Sequence, residues 1–226
     1  MDSGIFRECK MPSYDLCNAS FDEFVDYLFN HPLPASEDDE YWYWSDDLEV
    51  VYEPVKLVEY YTKLFTNPQV LIDKYSDGQL EQGLLAMRSC LLPGAVSEVL
   101  WEEEVPPSLR EECVRSMFFL YKDLFAVKPL HTACFMWWDS FTDDYSITHV
   151  HSETAEGPSI QNVMFEILCQ TLKLDVEICQ HGALHGLGHL RHPGTEAVIR
   201  TWMASKPDLD QQSSDFAEEC IVGNIV

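Results

Sequence analysis

Apolar residues recur every three or four positions along most of this chain, the spacing that places them on one face of an α-helix. Several of these runs begin with a capping box, in which a serine hydroxyl accepts a backbone N–H and a Glu or Gln three residues later reaches back. The boxes pair Ser20 with Glu23, Ser76 with Gln79 and Ser108 with Glu111. They predict helices over residues 21–30, 77–91 and 109–126.

Further helices follow from proline positions and from the apolar pattern of the second half. Pro54 suits the first turn of a helix over 54–65, where its missing N–H costs nothing. The remaining predicted helices cover residues 159–173, 175–191, 195–205 and 213–222. Their connections are short, which forces consecutive helices to pack antiparallel as hairpins. Residues 49–52 have strand character, but no other segment supplies a partner strand.

These elements predict an all-α fold, a stack of antiparallel helical hairpins. The chain has 226 residues, and we expect one domain over 1–226. Within it, residues 1–53 provide an N-terminal helix and an acidic aromatic loop, and residues 54–226 provide the hairpin stack. The loop stands out because residues 32–53 contain eight acidic side chains and no Lys or Arg.

Acidic residues outnumber basic ones, with 39 Asp and Glu against 14 Lys and Arg and a formal net charge of −25. Such a charge repels nucleic-acid phosphates and anionic lipid surfaces, because both are bound mainly by Lys and Arg. It favours a positively charged partner, and we expect a basic protein. With 46% hydrophobic residues, the chain is nevertheless apolar enough to fold.

Location in the cell is suggested by what the sequence lacks. Its apolar runs are too short to span a bilayer, and residues 1–10 lack the apolar stretch of a secretion signal. The eight cysteines include no C-x-x-C pair, which favours reduced thiols. We therefore expect a cytoplasmic protein without membrane or nucleic-acid contacts.

Two segments combine aromatic rings with carboxylates, a combination that suits a Lys- or Arg-bearing partner. The candidate partner-binding residues are Tyr41, Trp42, Tyr43, Trp44, Asp46, Asp47, Trp137, Trp138 and Asp139. The alternative for the first segment is a loop folded back as a lid on the core. No helix or strand face can bury four consecutive rings, so we expect at least one to be exposed.

Three histidines recur at every fourth position of one predicted helix, at His181, His185 and His189. This spacing places them on one face, opposite the apolar stripe, and two such imidazoles can bind one transition-metal ion. A catalytic site needs a third ligand, and this helix face offers no carboxylate and lacks the glutamate of the H-E-x-x-H motif. The alternative is that the histidines form a second packing face or are exposed. The helix also contains three glycines, which favour the close approach of a neighbouring helix.

The segment Ala183–His189, with Pro193 and the helix through Trp202, resembles the helix-and-turn pattern of HEAT-like helical repeats. Together with Phe24–Phe29, Tyr41–Trp44, Leu80–Gly83 and Met136–Asp139, it resembles a group of uncharacterised bacterial proteins. The resemblance implies a helical-repeat fold, a bacterial origin and a cytosolic location. It assigns no catalytic residue and no activity.

The sequence leaves functions of different classes open. The first is a non-enzymatic acidic interaction protein without a cofactor, which binds a basic protein, for example as an immunity or antitoxin-type inhibitor of a basic toxin. The alternative is a metal-binding or metal-dependent hydrolytic protein, in which His181, His185 and His189 bind zinc or another transition metal. A third is a structural subunit of an assembly. No nucleophile motif favours another enzyme class.

Overall fold

The computed structural model describes residues 13–36, 39–44, 48–142 and 156–225, with side chains from residue 159 in the last range. The helices in the first half are α1 (Phe21–Phe29), α2 (Pro54–Thr66), α3 (Asp77–Met87), α4 (Val96–Val99) and α5 (Pro107–Leu120). The second half contains α6 (His131–Phe135), α7 (Asp139–Thr142), α8 (Glu156–Thr171), α9 (Glu177–Leu190), α10 (Thr195–Ala204) and α11 (Gln211–Val222). A π-helical segment, Tyr121–Phe125, extends α5. The prediction of a mainly helical protein is confirmed.

Two of the three predicted capping boxes form. Ser20 and Ser76 each accept the N–H of the residue three positions later, whose side chain returns to the serine backbone. The box at Ser108 is wrong, because α5 already begins at Pro107 and Pro106 occupies the cap position without a side-chain hydrogen bond. A proline at the first helical position needs no partner for an N–H, which fixes the start two residues earlier than predicted.

The predicted strand has a partner that sequence reasoning missed. Strand β1 (Ser13–Asp15) pairs in parallel with β2 (Glu49–Val51), with Tyr14 opposite Val50. Three residues are too few for an alternating pattern to be recognised, so β1 gave no signal. The fold is therefore mostly helical, with a two-stranded parallel sheet that joins residues 13–15 to residues 49–51.

Helix α9 is the central element of the C-terminal half. In the described chain it packs against α6, α7, α8, α10 and α11, while α8 also packs against α5 and α5 against α2. A HEAT-like repeat of hairpins is not confirmed, because α9 is surrounded by neighbours on several sides. Among the described helices, none combines the length and apolar character needed to cross a membrane.

The glycines of α9 make this crowding possible. A Cβ at Gly182 would lie 2.7 Å from the Cys134 carbonyl oxygen, and one at Gly186 would lie 2.8 Å from the Trp138 ring. At Gly188, a Cβ would lie 3.1 Å from the Cα of Cys220. The expectation that these glycines serve close packing is confirmed, and each admits a different neighbour.

Replacing Gly186 with Ala is expected to destabilise the protein by about 1–3 kcal/mol, because the new methyl group meets the fully buried Trp138 ring. Gly78→Ala is the matched control. Its methyl group meets the end of Leu33, which is 47% exposed and can move aside. Thermal unfolding followed by circular dichroism measures both variants, and equal melting temperatures for the two would contradict the packing argument.

Candidate functional site

Three potential metal ligands from two helices converge beside α9. Asp139 is the first residue of α7, and His185 and His189 lie one turn apart on α9. One ligand atom from each residue lies within 4.8 Å of the other two. The Oδ1 atom of Asp139 is 3.1 Å from Nδ1 of His185 and 3.9 Å from Nε2 of His189.

His185 is held in a defined orientation. Its side chain is 1% exposed, and its ring stacks on Phe135 with the ring centroids 4.2 Å apart. The Nδ1 atom is 3.2 Å from the carbonyl oxygen of Phe135 and faces the carboxylate of Asp139. Both neighbours are acceptors, so Nδ1 carries the proton in neutral imidazole. Nε2 then carries the lone pair, and this buried atom has no hydrogen-bond partner in the described chain.

Asp139 also carries an unsatisfied atom. Its Oδ1 is buried and accepts no hydrogen bond from the described residues, although Nδ1 of His185 is close. The short distance and the missing bond are compatible because the proton on Nδ1 points to the Phe135 carbonyl oxygen. A buried polar atom without a partner costs roughly 1–3 kcal/mol, more when it is charged. A cation coordinated by Asp139 would give Oδ1 the partner that it lacks among the described residues.

The surrounding packing fixes the positions of α6 and α7 relative to α9. Trp138, next to Asp139, is fully buried against the backbone of Gly186. On α6, the carbonyl of Cys134 accepts a hydrogen bond of 2.9 Å from the Tyr121 hydroxyl. The chain on both sides of the His185 contact is therefore anchored in the core.

The donor set suits a transition metal. Imidazole nitrogen binds zinc, copper, iron and nickel, and two histidines with one carboxylate leave further coordination positions open. The side chains of Asp139 and His189 are 19% and 24% exposed, so water can reach one side of the cluster. A site with three protein ligands and access to water has the composition of a catalytic rather than a closed structural metal centre.

The structure brings together two of the three histidines that the sequence singled out. His181 is absent from the cluster of Asp139, His185 and His189, and its ring lies edge-on to Phe216 at 6.0 Å. One turn of helix, about 5.4 Å, separates it from His185, whereas Asp139 lies level with the two later histidines. His185 is buried against Phe135 of α6, which fits the second packing face considered as an alternative, whereas His189 is partly exposed.

The third ligand is one that sequence reasoning placed elsewhere. Asp139 was expected at a partner-binding surface, and the carboxylate of this cluster comes from α7 and not from α9. Residues 143–155, which include His149, His151 and Glu153, lie outside the described residues. No local motif marks Asp139, because its proximity to α9 depends on the tertiary packing of α7.

The tryptophans before Asp139 do not form a partner surface. Trp137 and Trp138 are both 0% exposed, so their assignment as partner-binding residues is wrong for this structure. Trp137 packs edge-on against Phe65 and Phe125, with centroid distances of 5.5 and 6.1 Å. Large aromatic rings gain most from burial, and the turn between α6 and α7 directs both rings inward.

The other aromatic segment is folded onto the protein with one exposed ring. Trp42 stacks on His31 with centroids 3.6 Å apart, Tyr43 is buried, and Tyr41 is half-buried. Trp44 is 45% exposed. The lid interpretation thus describes most of the segment, and the expected exposed ring is Trp44. Asp46 and Asp47 lie outside the described residues.

Comparison with known proteins gives no relative from which a role can be transferred. No family model, no curated protein and no solved structure matches the chain. The role of the Asp139–His185–His189 cluster therefore has to be argued from its own residues.

The thiols of Cys113 and Cys134 are buried and protonated. Contact with Cys179, together with burial, raises the pKa of the Cys134 thiol, and burial raises the pKa of Cys113 to about 12.

Because the thiolate is the reactive form, native protein should react with a thiol reagent at exposed Cys90 well before Cys113 or Cys134. Timed alkylation followed by peptide mass spectrometry measures the order. Equal labelling rates at Cys90 and Cys134 would contradict the buried, protonated state.

Proposed function

We propose that this protein binds a divalent transition-metal ion, zinc in the first instance, through Asp139, His185 and His189. One observation carries the proposal. The three ligand atoms lie within 4.8 Å of one another, and two buried atoms of this cluster, Asp139 Oδ1 and His185 Nε2, have no hydrogen-bond partner in the described chain. Buried polar atoms are nearly always paired, and a bound ion with its water would pair these groups.

The environment of His185 supports the same role. Metal-binding histidines typically donate their second ring N–H to a carbonyl or carboxylate, which fixes the ring and the tautomer. The Nδ1 atom of His185 faces both kinds of acceptor, the Phe135 carbonyl and the Asp139 carboxylate. The ring is therefore held, before any ion binds, with a lone pair available on Nε2.

The proposed chemistry is metal-dependent hydrolysis. Three protein ligands leave a position for water, and a zinc ion in such a site lowers the pKa of its bound water to about 7. Partial exposure of Asp139 and His189 gives water and a substrate a route to that position. The buried side, formed by Phe135 and Trp138, excludes solvent from His185.

The metal proposal is tested by the zinc affinity of protein produced without a histidine tag. Asp139→Asn and His189→Ala should each weaken zinc binding by about 100-fold or more, since even residues that support ligands contribute roughly 10- to 100-fold. His181→Ala is the matched control on the same helix and should bind zinc like the original protein. Calorimetric titration and elemental analysis give the affinities and the stoichiometry.

The His181→Ala variant also distinguishes the two possible ligand sets. One set is Asp139 with His185 and His189, and the other is the three histidines of α9. A loss of binding in His181→Ala with no loss in Asp139→Asn would support the set expected from sequence spacing and overturn the structural one. No zinc bound by the original protein would overturn both. Asp139→Asn retains the size of the side chain, so a weakened affinity in this variant is not explained by unfolding.

An acidic interaction protein stays a second proposal, supported by the net charge of −25 and by the exposed ring of Trp44. Tyr41 packs edge-on against that ring at 5.1 Å, and the adjacent Asp39 and Glu40 are exposed. An exposed tryptophan in an acidic segment suits a Lys- or Arg-rich surface. A basic toxin held by an immunity-type inhibitor is one concrete form of this partner.

This second proposal predicts a complex that depends on both salt and Trp44. A basic partner retained from cell lysate at low salt should be lost at high salt, because exposed charge pairs are screened within about 10 Å at 0.1 M ionic strength. Trp44→Ala should weaken the complex by about tenfold. Val127→Ala, a second exposed apolar position, serves as the control. Retention that is unchanged by salt and by Trp44→Ala would rule the interface out.

A further inference from the structure

A separate cleft lies on the C-terminal half, between the ends of α8 and α10 and the start of α9. It comprises a cavity of about 680 Å³ and an adjoining one of about 490 Å³. Both are lined by Gln180, Trp202 and Lys206, so they form one continuous groove. Volumes of this size accommodate a small organic molecule. No residue of the Asp139–His185–His189 cluster lines either cavity.

The larger cavity has apolar walls. These walls are formed mainly by Leu172, Val198 and the ring of Trp202. Leu172 and Trp202 are both more than nine-tenths buried. Such walls favour an apolar or aromatic body, which gains free energy by leaving water. The groove is open at the surface, where Lys173, Asp175 and Thr201 are exposed.

Two lysines, Lys173 and Lys206, line this same cavity. Neither forms an ion pair with a carboxylate in the described chain, whereas Lys74, Lys128 and Arg200 all do. Nζ of Lys206 lies 5.9 Å from the centre of the Trp202 ring, so this ammonium group is at the apolar wall. In a protein with a net charge of −25, two unpaired lysines at one cavity form a local positive site.

The acidic residues are distributed unequally between the two cavities of the groove. The larger cavity has Asp175 as its single acidic lining residue, while the adjoining cavity also has Glu177, Asp208 and Asp210. Asp210 is engaged as the cap of α11, where it accepts from Ser213 at 2.9 Å. An anionic group is therefore favoured in the larger cavity, beside Lys173, over the more acidic adjoining cavity.

We propose that the cleft binds a small amphipathic carboxylate, with its apolar body against Trp202 and Val198 and its carboxylate between Lys173 and Lys206. This site is independent of the proposed metal centre. The apolar walls supply affinity, and the two lysines select the carboxylate over an amine or an alcohol of the same shape.

Phenylbutyrate is a suitable probe, with phenylbutylamine and phenylbutanol as analogues that differ only at the head group. Isothermal titration of the complete protein should rank phenylbutyrate tightest and phenylbutylamine weakest. Replacing both lysines, Lys173→Met and Lys206→Met, should weaken phenylbutyrate binding by about tenfold and remove the preference for the acid. Lys122→Met changes an exposed lysine that does not line the cleft and is the control.

A second variant tests the cavity without changing charge. Thr201→Trp places an indole in the groove from an exposed position of α10 and should abolish binding of all three probes. Circular dichroism confirms that each variant is folded. No binding of phenylbutyrate, or equal affinity for the acid and the amine, would overturn the proposal. Asp139→Asn should bind phenylbutyrate like the original protein, so failure of the metal centre and failure of this cleft are distinguishable.

Discussion

The close packing around α9 is the constraint on which the rest of this structure depends. Its glycines let the backbone of α6, the ring of Trp138 and the backbone of α11 lie where a Cβ would otherwise stand. Each glycine costs on the order of 1 kcal/mol of helix propensity, which the contacts of five neighbouring helices offset. A helix so enclosed has little freedom to move, and side chains on its remaining face are held in fixed positions.

Because α9 is held in place, the buried atoms of Asp139 and His185 that lack a partner in the described chain are evidence for a bound ion. In a mobile surface region, an unpaired imidazole nitrogen and carboxylate oxygen would find water. Here the stacked ring of Phe135 and the buried Trp138 restrict His185 and Asp139 to one arrangement. Rigid positioning of ligands before an ion arrives lowers the free energy that binding must supply.

Local features of the fold were predictable from the sequence, and features made by distant contacts were not. The caps at Ser20 and Ser76 depend on residues three apart, so the pattern alone finds them. His185 and His189 follow equally from helix periodicity. Asp139 reaches them only because α7 packs on α9, 46 and 50 positions away along the chain, and no local spacing records that contact. The burial of Trp138 has the same origin.

The most direct test of this account is anomalous diffraction at the zinc absorption edge from crystals of the zinc-loaded protein. The account predicts one strong peak between α7 and α9, at bonding distance from Asp139, His185 and His189. Zinc is expected at about 2.0–2.2 Å from nitrogen and oxygen ligands. A peak bound through His181, or no peak beside Asp139, would contradict it.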